Sequence, residues 1–151
     1  MTHPVVVDAS LATMWALPEP HSQPALALAG QWAGAGTRLL APGLLLAEVT
    51  NALYKRLLRG EMDLGTAHRA LRVILGFAVE IREEPGLPAR AMALAHQLRR
   101  PSTYDCHYLA LAERFRCELW TGDRRLYNAV KEAIPWVKWI GHYPSGSSPT
   151  T

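Results

Sequence analysis

The 151-residue sequence has no apolar run near the roughly 20 residues that a membrane-spanning helix requires. Its longest, around Leu39 to Ala47, is interrupted by Pro42 and Gly43, so a membrane span is excluded. A basic leader before a longer apolar stretch is also missing, because the chain passes straight into Pro4-Val5-Val6-Val7-Asp8; the expected location is cytoplasmic. Only two cysteines occur, Cys106 and Cys117, too few for a disulfide framework or a zinc site. A dinucleotide-binding glycine fingerprint is lacking too: Gly34-Ala-Gly36-Thr-Arg-Leu39 has no third glycine and no strand before it.

What is present is a foldable composition. Hydrophobic residues make up 49% and charged residues 19%, enough apolar surface to offset the entropy of ordering one domain. That domain is expected over 1–143, with a disordered Ser/Pro/Thr tail over 144–151. The net charge is +3, and 13 of the 16 basic residues are Arg, whose planar fork suits phosphate.

Short apolar runs alternate with helical patterns. Strands are expected at Val5 to Val7, Arg38 to Ala41, Val79 to Glu83, Glu118 to Thr121 and Trp136 to Ile140. The opening helix should run through Leu11, Met14, Trp15 and Leu17 to a stop at Pro18. Further helices are expected over Gln23 to Ala33, Pro42 to Leu58, with Gly60 as terminator, Asp63 to Gly76, Pro88 to Arg99, Thr103 to Phe115 and Asp123 to Glu132. This alternation predicts an α/β, three-layer fold, a short, mostly parallel sheet with helices on both faces, and places ligands beyond the carboxyl ends of the strands.

Two acids stand at such ends, Asp8 after the first strand and Asp123 after the Leu119-Trp120 strand core. Two more, Glu48 and Asp105, are set in apolar helical surroundings. Each has a structural alternative. Asp8 or Ser10 could cap the first helix, Asp123 could cap its own, and Ser102 with Asp105 fits a capping box. Glu48 lies mid-helix with no basic residue at i,i+4, so a cation or a distant Arg is expected to neutralise it. Carboxylates that converge without basic partners raise one another's pKa unless a cation intervenes, and oxygen-only ligands select Mg²⁺ or Mn²⁺. The residues thus point to metal-assisted phosphodiester hydrolysis.

Four segments in order carry a family resemblance: Val-Val-Asp8-Ala-Ser10 with Trp15-Ala-Leu-Pro-Glu19, Glu48-Val-Thr-Asn51-Ala-Leu53, Thr103-Tyr-Asp105 before Tyr108-Leu-Ala-Leu-Ala112, and Leu119-Trp-Thr121-Gly-Asp123-Arg-Arg-Leu126. Over about Pro4 to Tyr143 the sequence resembles the PIN-domain ribonucleases, and among them the VapC-type toxins of toxin–antitoxin pairs. The resemblance implies that Asp8, Glu48, Asp105 and Asp123 are catalytic, metal-binding acids and that Ser10, Asn51 and Thr121 support them. It also implies an RNA substrate, a homodimer and a small VapB-like antitoxin that blocks the site. Two departures stand out: Gly122, where Ala is usual, is expected to loosen the turn carrying Asp123, and Cys106-His107 replaces smaller or apolar residues.

Setting those four acids aside leaves nine acidic against 16 basic residues, a surface able to attract an RNA backbone. Arg99, Arg100, Arg124 and Arg125 flank two of the acids and are the candidate RNA-binding residues. The histidines His68, His96 and His107 are expected to be packed or solvated, and the tryptophans to serve core or dimer packing. Other strand-end acid chemistries fit less well. A phosphoacceptor domain needs paired acids after its first strand, and a dehalogenase-like phosphatase needs an acid where Ser10 stands. The alternative from another class is a non-cleaving PIN-like module that binds RNA or protein, against which the retention of all four acids argues.

Overall fold

The computed structural model describes residues 3–144; apart from Pro144, the expected tail lies outside them. In chain order the elements are β1 (Val5–Val7), α1 (Ala9–Thr13), α2 (Ser22–Ala35), β2 (Leu39–Ala41), α3 (Leu44–Leu58), α4 (Leu64–Leu75), β3 (Glu80–Ile81), α5 (Leu87–Gln97), α6 (Tyr104–Phe115), β4 (Glu118–Thr121), α7 (Arg124–Val130) and β5 (Val137–Trp139), closed by a 3₁₀ turn over Ile140–His142. The strands form one sheet in the order β3-β2-β1-β4-β5, and every pairing is parallel.

A parallel sheet needs cover on both faces, and its central strands are accordingly apolar throughout. Val6 and Val7 of β1, Leu40 and Ala41 of β2 and Leu119 of β4 are fully buried. Helix α6 lies deepest, with Cys106 and every residue from Tyr108 to Ala112 buried. Helix α3 buries the stripe Leu45, Val49 and Leu53. It ends where Gly60, at φ +77°, takes the left-handed conformation that glycine adopts without steric cost, while the Glu61 N–H returns to the Arg56 carbonyl at 3.0 Å.

Several elements are shorter than their patterns suggest, the opening helix and β3 most of all. The opening helix stops at Thr13, although Leu11, Met14, Trp15 and Leu17 are all buried. Pro18 disfavours helical backbone at the residue before it, so the chain continues as turns, with the Leu17 N–H on the Thr13 carbonyl at 3.0 Å. Strand β3 keeps only Glu80 and Ile81 because it is an edge strand paired with β2 alone.

The order of the sheet decides where a ligand can sit. From β1 the chain winds outward to β2 and β3 on one side, then crosses to β4 and β5 on the other. The topological switch point therefore lies at the carboxyl ends of β1 and β4, where Asp8 and Asp123 emerge.

Candidate active site

Val7 is paired with Trp120 across β1 and β4, so the residues just past them meet. Asp8 is 5% exposed. One carboxylate oxygen accepts the Leu11 N–H at 3.0 Å and the Ser10 hydroxyl at 2.7 Å, and the other accepts the Thr121 hydroxyl. Asp8 thus caps α1 as well as being a candidate site acid. Burial pushes its pKa up to about 6, against the lowering effect of these hydrogen bonds, and the charge of Asp105 adds to the rise.

The fully buried Thr121 couples two acids. Its hydroxyl donates to Asp8 and accepts the Asp123 N–H at 2.9 Å. Asp123 caps α7 by accepting the N–H groups of Arg125 at 2.9 Å and Leu126 at 3.2 Å, both on Oδ1. The Ser10 hydroxyl in turn accepts the Gly122 N–H at 2.9 Å. Gly122 does not loosen this turn. A Cβ there would lie 2.9 Å from the Ser10 carbonyl oxygen and 2.7 Å from Met14 Cε, so glycine is what lets the two turns close on each other.

Glu48 is half-buried on α3 and accepts the Tyr108 hydroxyl at 2.6 Å. Its partner is therefore a neutral donor from α6 rather than the cation or distant Arg expected. The nearby Arg56 turns instead to Glu19 at 3.5 Å and Glu61 at 3.6 Å. Burial raises the Glu48 pKa, with a further push from Asp105 and an opposing one from His107. Tyr108 is raised as well, by its own burial and by the hydrogen bond to Glu48.

Asp105 is not a cap. The N-cap of α6 is Thr103, with no side-chain hydrogen bond, so the capping box does not form. Nor is Asp105 without a basic partner: the Arg100 guanidinium lies 3.3 Å from its carboxylate. Arg99, at φ +54°, ends α5, and the Arg100 N–H then closes on the Ala95 carbonyl at 2.8 Å. Asn51 is exposed one turn after Glu48 and, among the described residues, makes no side-chain hydrogen bond.

Tyr108, Arg100 as the Asp105 partner, and the proximity of His107 to Glu48 were not legible beforehand. Tyr108 follows Asp105 by three residues, the spacing that puts two side chains on one face of a helix, and that spacing was the available signal.

Among the described residues, no three acidic, histidine or cysteine side chains lie close enough to hold a metal by themselves. The chemistry of the donors nonetheless fits a hard cation. Burial first, and the charge of Asp105 after it, raise Asp8 and Glu48; all three acids offer oxygen donors, and Mg²⁺ is commonly held by one or two carboxylates plus water and substrate phosphate. A thiolate ligand does not fit, since Cys106 is fully buried with its pKa raised by that burial.

The PIN-domain family profile matches residues 5–132. VapC ribonuclease Mb0985 of Mycobacterium bovis is 30% identical over 131 residues, covering 87% of this chain and 94% of that protein. The same figures hold for Ribonuclease VapC9 of Mycobacterium tuberculosis. Among solved structures, PAE2754 of Pyrobaculum aerophilum superposes with a TM-score of 0.68 at 25% identity, over 91% of this chain and 84% of that one. With the parallel sheet, the switch-point acids and a match over most of its length, the chain belongs to the PIN-domain family, as a VapC-type protein.

Proposed function

We propose that the protein is a metal-dependent endoribonuclease, the toxin of a type II toxin–antitoxin pair, with Asp8, Glu48, Asp105 and Asp123 as its metal-binding acids. The observation that carries this reading is geometric: at the switch point of the sheet one hydroxyl, that of Thr121, joins Asp8 to the turn of Asp123, with the buried Asp8 carboxylate held in one orientation. Acids gathered in a buried cleft favour a bound cation over unpaired charge. Two relatives whose names describe ribonucleases support the activity.

The chain's own side chains each have a task in this reading. Ser10 and Thr121 hold the Asp8 carboxylate in one orientation, and Tyr108 does the same for Glu48. Arg100 neutralises Asp105 in the free protein. A Mg²⁺ or Mn²⁺ bound by these acids would supply water activation and charge stabilisation at the attacked phosphate. Arg99 and Arg100 line a cleft of about 600 Å³ with His96, Ser102 and Thr103, beside the helix carrying Asp105. Together with the exposed Arg124 and Arg125, they would attract the RNA backbone.

A homodimer and a VapB-like antitoxin complete the proposal. Exposed Leu58, Leu64 and Leu75 on α3 and α4 supply apolar surface for such assembly. Among the described residues, no helix is long and apolar enough to cross a membrane. The deciding experiment is cleavage of RNA by the purified protein with Mn²⁺ or Mg²⁺ against the same protein in chelator. Cleavage only with metal supports the nuclease; equal RNA binding without cleavage under both conditions would establish the non-cleaving module instead.

A further inference from the structure

Trp139 ends β5 directly opposite Thr121, the residue that holds Asp8. Residues paired across a parallel ladder present their side chains on the same face of the sheet, so the indole lies on the face that carries the Thr121 hydroxyl and its bond to Asp8. It is half-buried, and its ring is fixed on several sides. Tyr127 stacks on it with centroids 6.3 Å apart, His142 and His21 meet it edge-on at 5.0 and 5.4 Å, and a Cβ on Gly141 would collide with the ring.

Over this ring lies the guanidinium of Arg124, 5.2 Å from the centroid. Arg124 immediately follows Asp123, is exposed, and forms no ion pair among the described residues. A surface arginine is ordinarily a mobile point of charge. This one is held over the ring by a cation–π contact while the residue remains exposed, with no carboxylate among the described residues to take up its charge. Splayed-out bases of single-stranded RNA are commonly bound by stacking on aromatic rings or on guanidinium planes.

We propose that Arg124, held over Trp139, is a platform on which one nucleobase of single-stranded RNA stacks beside the Asp8 and Asp123 acids. The inference rests on the ribonuclease reading and deepens it, since it concerns how the substrate is seated. A base held there would fix the register of the strand relative to the acids. Because the platform exists before RNA arrives, binding would not have to order it. Arg124 is a positioning residue, with no part in the chemical step.

The test uses the full chain in chelator, where binding is read without cleavage. The probe is a fluorescein-labelled single-stranded RNA, intact or with one abasic residue moved along it. For the wild type, removing the base at one position should weaken binding about 5- to 150-fold. Arg124→Ala should lose a comparable factor on intact RNA and no longer distinguish the abasic strand. Arg124→Lys should keep the salt dependence of the wild type and still lose the base discrimination, because an ammonium carries the charge without the plane. A Lys variant matching the wild type on both RNAs would reduce Arg124 to a phosphate contact and overturn the proposal. So would an Ala variant that discriminates as well as the wild type does. Cleavage with Mg²⁺, measured separately, keeps the two readings apart: cleavage without any base discrimination overturns the platform alone, and discrimination without cleavage overturns the nuclease alone.

Discussion

The Tyr108 hydroxyl donates a 2.6 Å hydrogen bond to the Glu48 carboxylate, joining helices whose contributing residues are 60 positions apart. Tyr108 is almost wholly buried, at 1% exposure, so its hydroxyl is fixed in place against the half-buried carboxylate. Tyr108→Phe should leave a half-buried carboxylate without its donor, raising the Glu48 pKa further and weakening its hold on a cation. We expect a loss of about 1–2 kcal/mol in stability, together with a higher Mg²⁺ requirement for RNA cleavage. Thermal melts and a metal titration of cleavage check it. An unchanged metal requirement would remove Glu48 from the metal-binding set.

Thr121 satisfies two buried groups with one hydroxyl, the Asp8 carboxylate and the Asp123 N–H. Thr121→Val keeps the shape and removes both bonds, and should cost on the order of 2–3 kcal/mol. Thr121→Ser keeps the hydroxyl and should stay within about 1 kcal/mol of the wild type. Chemical denaturation of the three proteins separates these outcomes, and equal losses in Val and Ser would mean that the methyl, rather than the hydroxyl, matters.

The Asp8 pKa of about 6 in the fold lies above the ordinary value near 4 in an unfolded chain. Folding thus favours protonated Asp8. The resulting stability is fully present below about pH 4 and is lost as pH rises through about 6. Between pH 4 and pH 7 in chelator, this single group should lower stability by on the order of 3 kcal/mol, and Asp8→Asn should abolish that part of the pH dependence. Mutual repulsion among unpaired acids would by itself predict that Asp105→Asn also gains stability. Because Arg100 pairs with Asp105, that variant leaves a part-buried guanidinium without its carboxylate and should gain less than Asp8→Asn at pH 7. Melting curves across pH in chelator test both statements, and a larger gain for Asp105→Asn would contradict the ion pair's role.

Gly122→Ala introduces the residue usual at this position in the family that the sequence resembles. In this chain its methyl would press on the Ser10 carbonyl and Met14. The turns on either side must then separate, which should cost about 1–3 kcal/mol and weaken the Ser10 contact to Asp8. A melting temperature equal to that of the wild type would show that Met14 simply yields.

The strand-end, helix-capping places of Asp8 and Asp123 were legible from the sequence for a local reason. Asp8 and Asp123 each follow a strand and open a helix, and a capping residue announces itself within three positions of chain. The alternation of short apolar runs with helical patterns was likewise enough for the parallel sheet, since each element's period is written in its own residues. Partners were a different matter. That Asp105 faces Arg100 rather than capping α6 depends on the left-handed turn at Arg99, a residue type that gives no hint of such a conformation.

The sequence by itself determined the elements and the α/β class of the fold, because propensity, periodicity and capping act over a few residues. Only the tertiary structure decided that Thr121 bridges Asp8 to Asp123, that Tyr108 serves Glu48, and that Trp139 carries Arg124 beside them. These relationships depend on β1 lying between β2 and β4, with β5 beyond β4. Such an order arises from how the whole core packs, and no local stretch of chain encodes it.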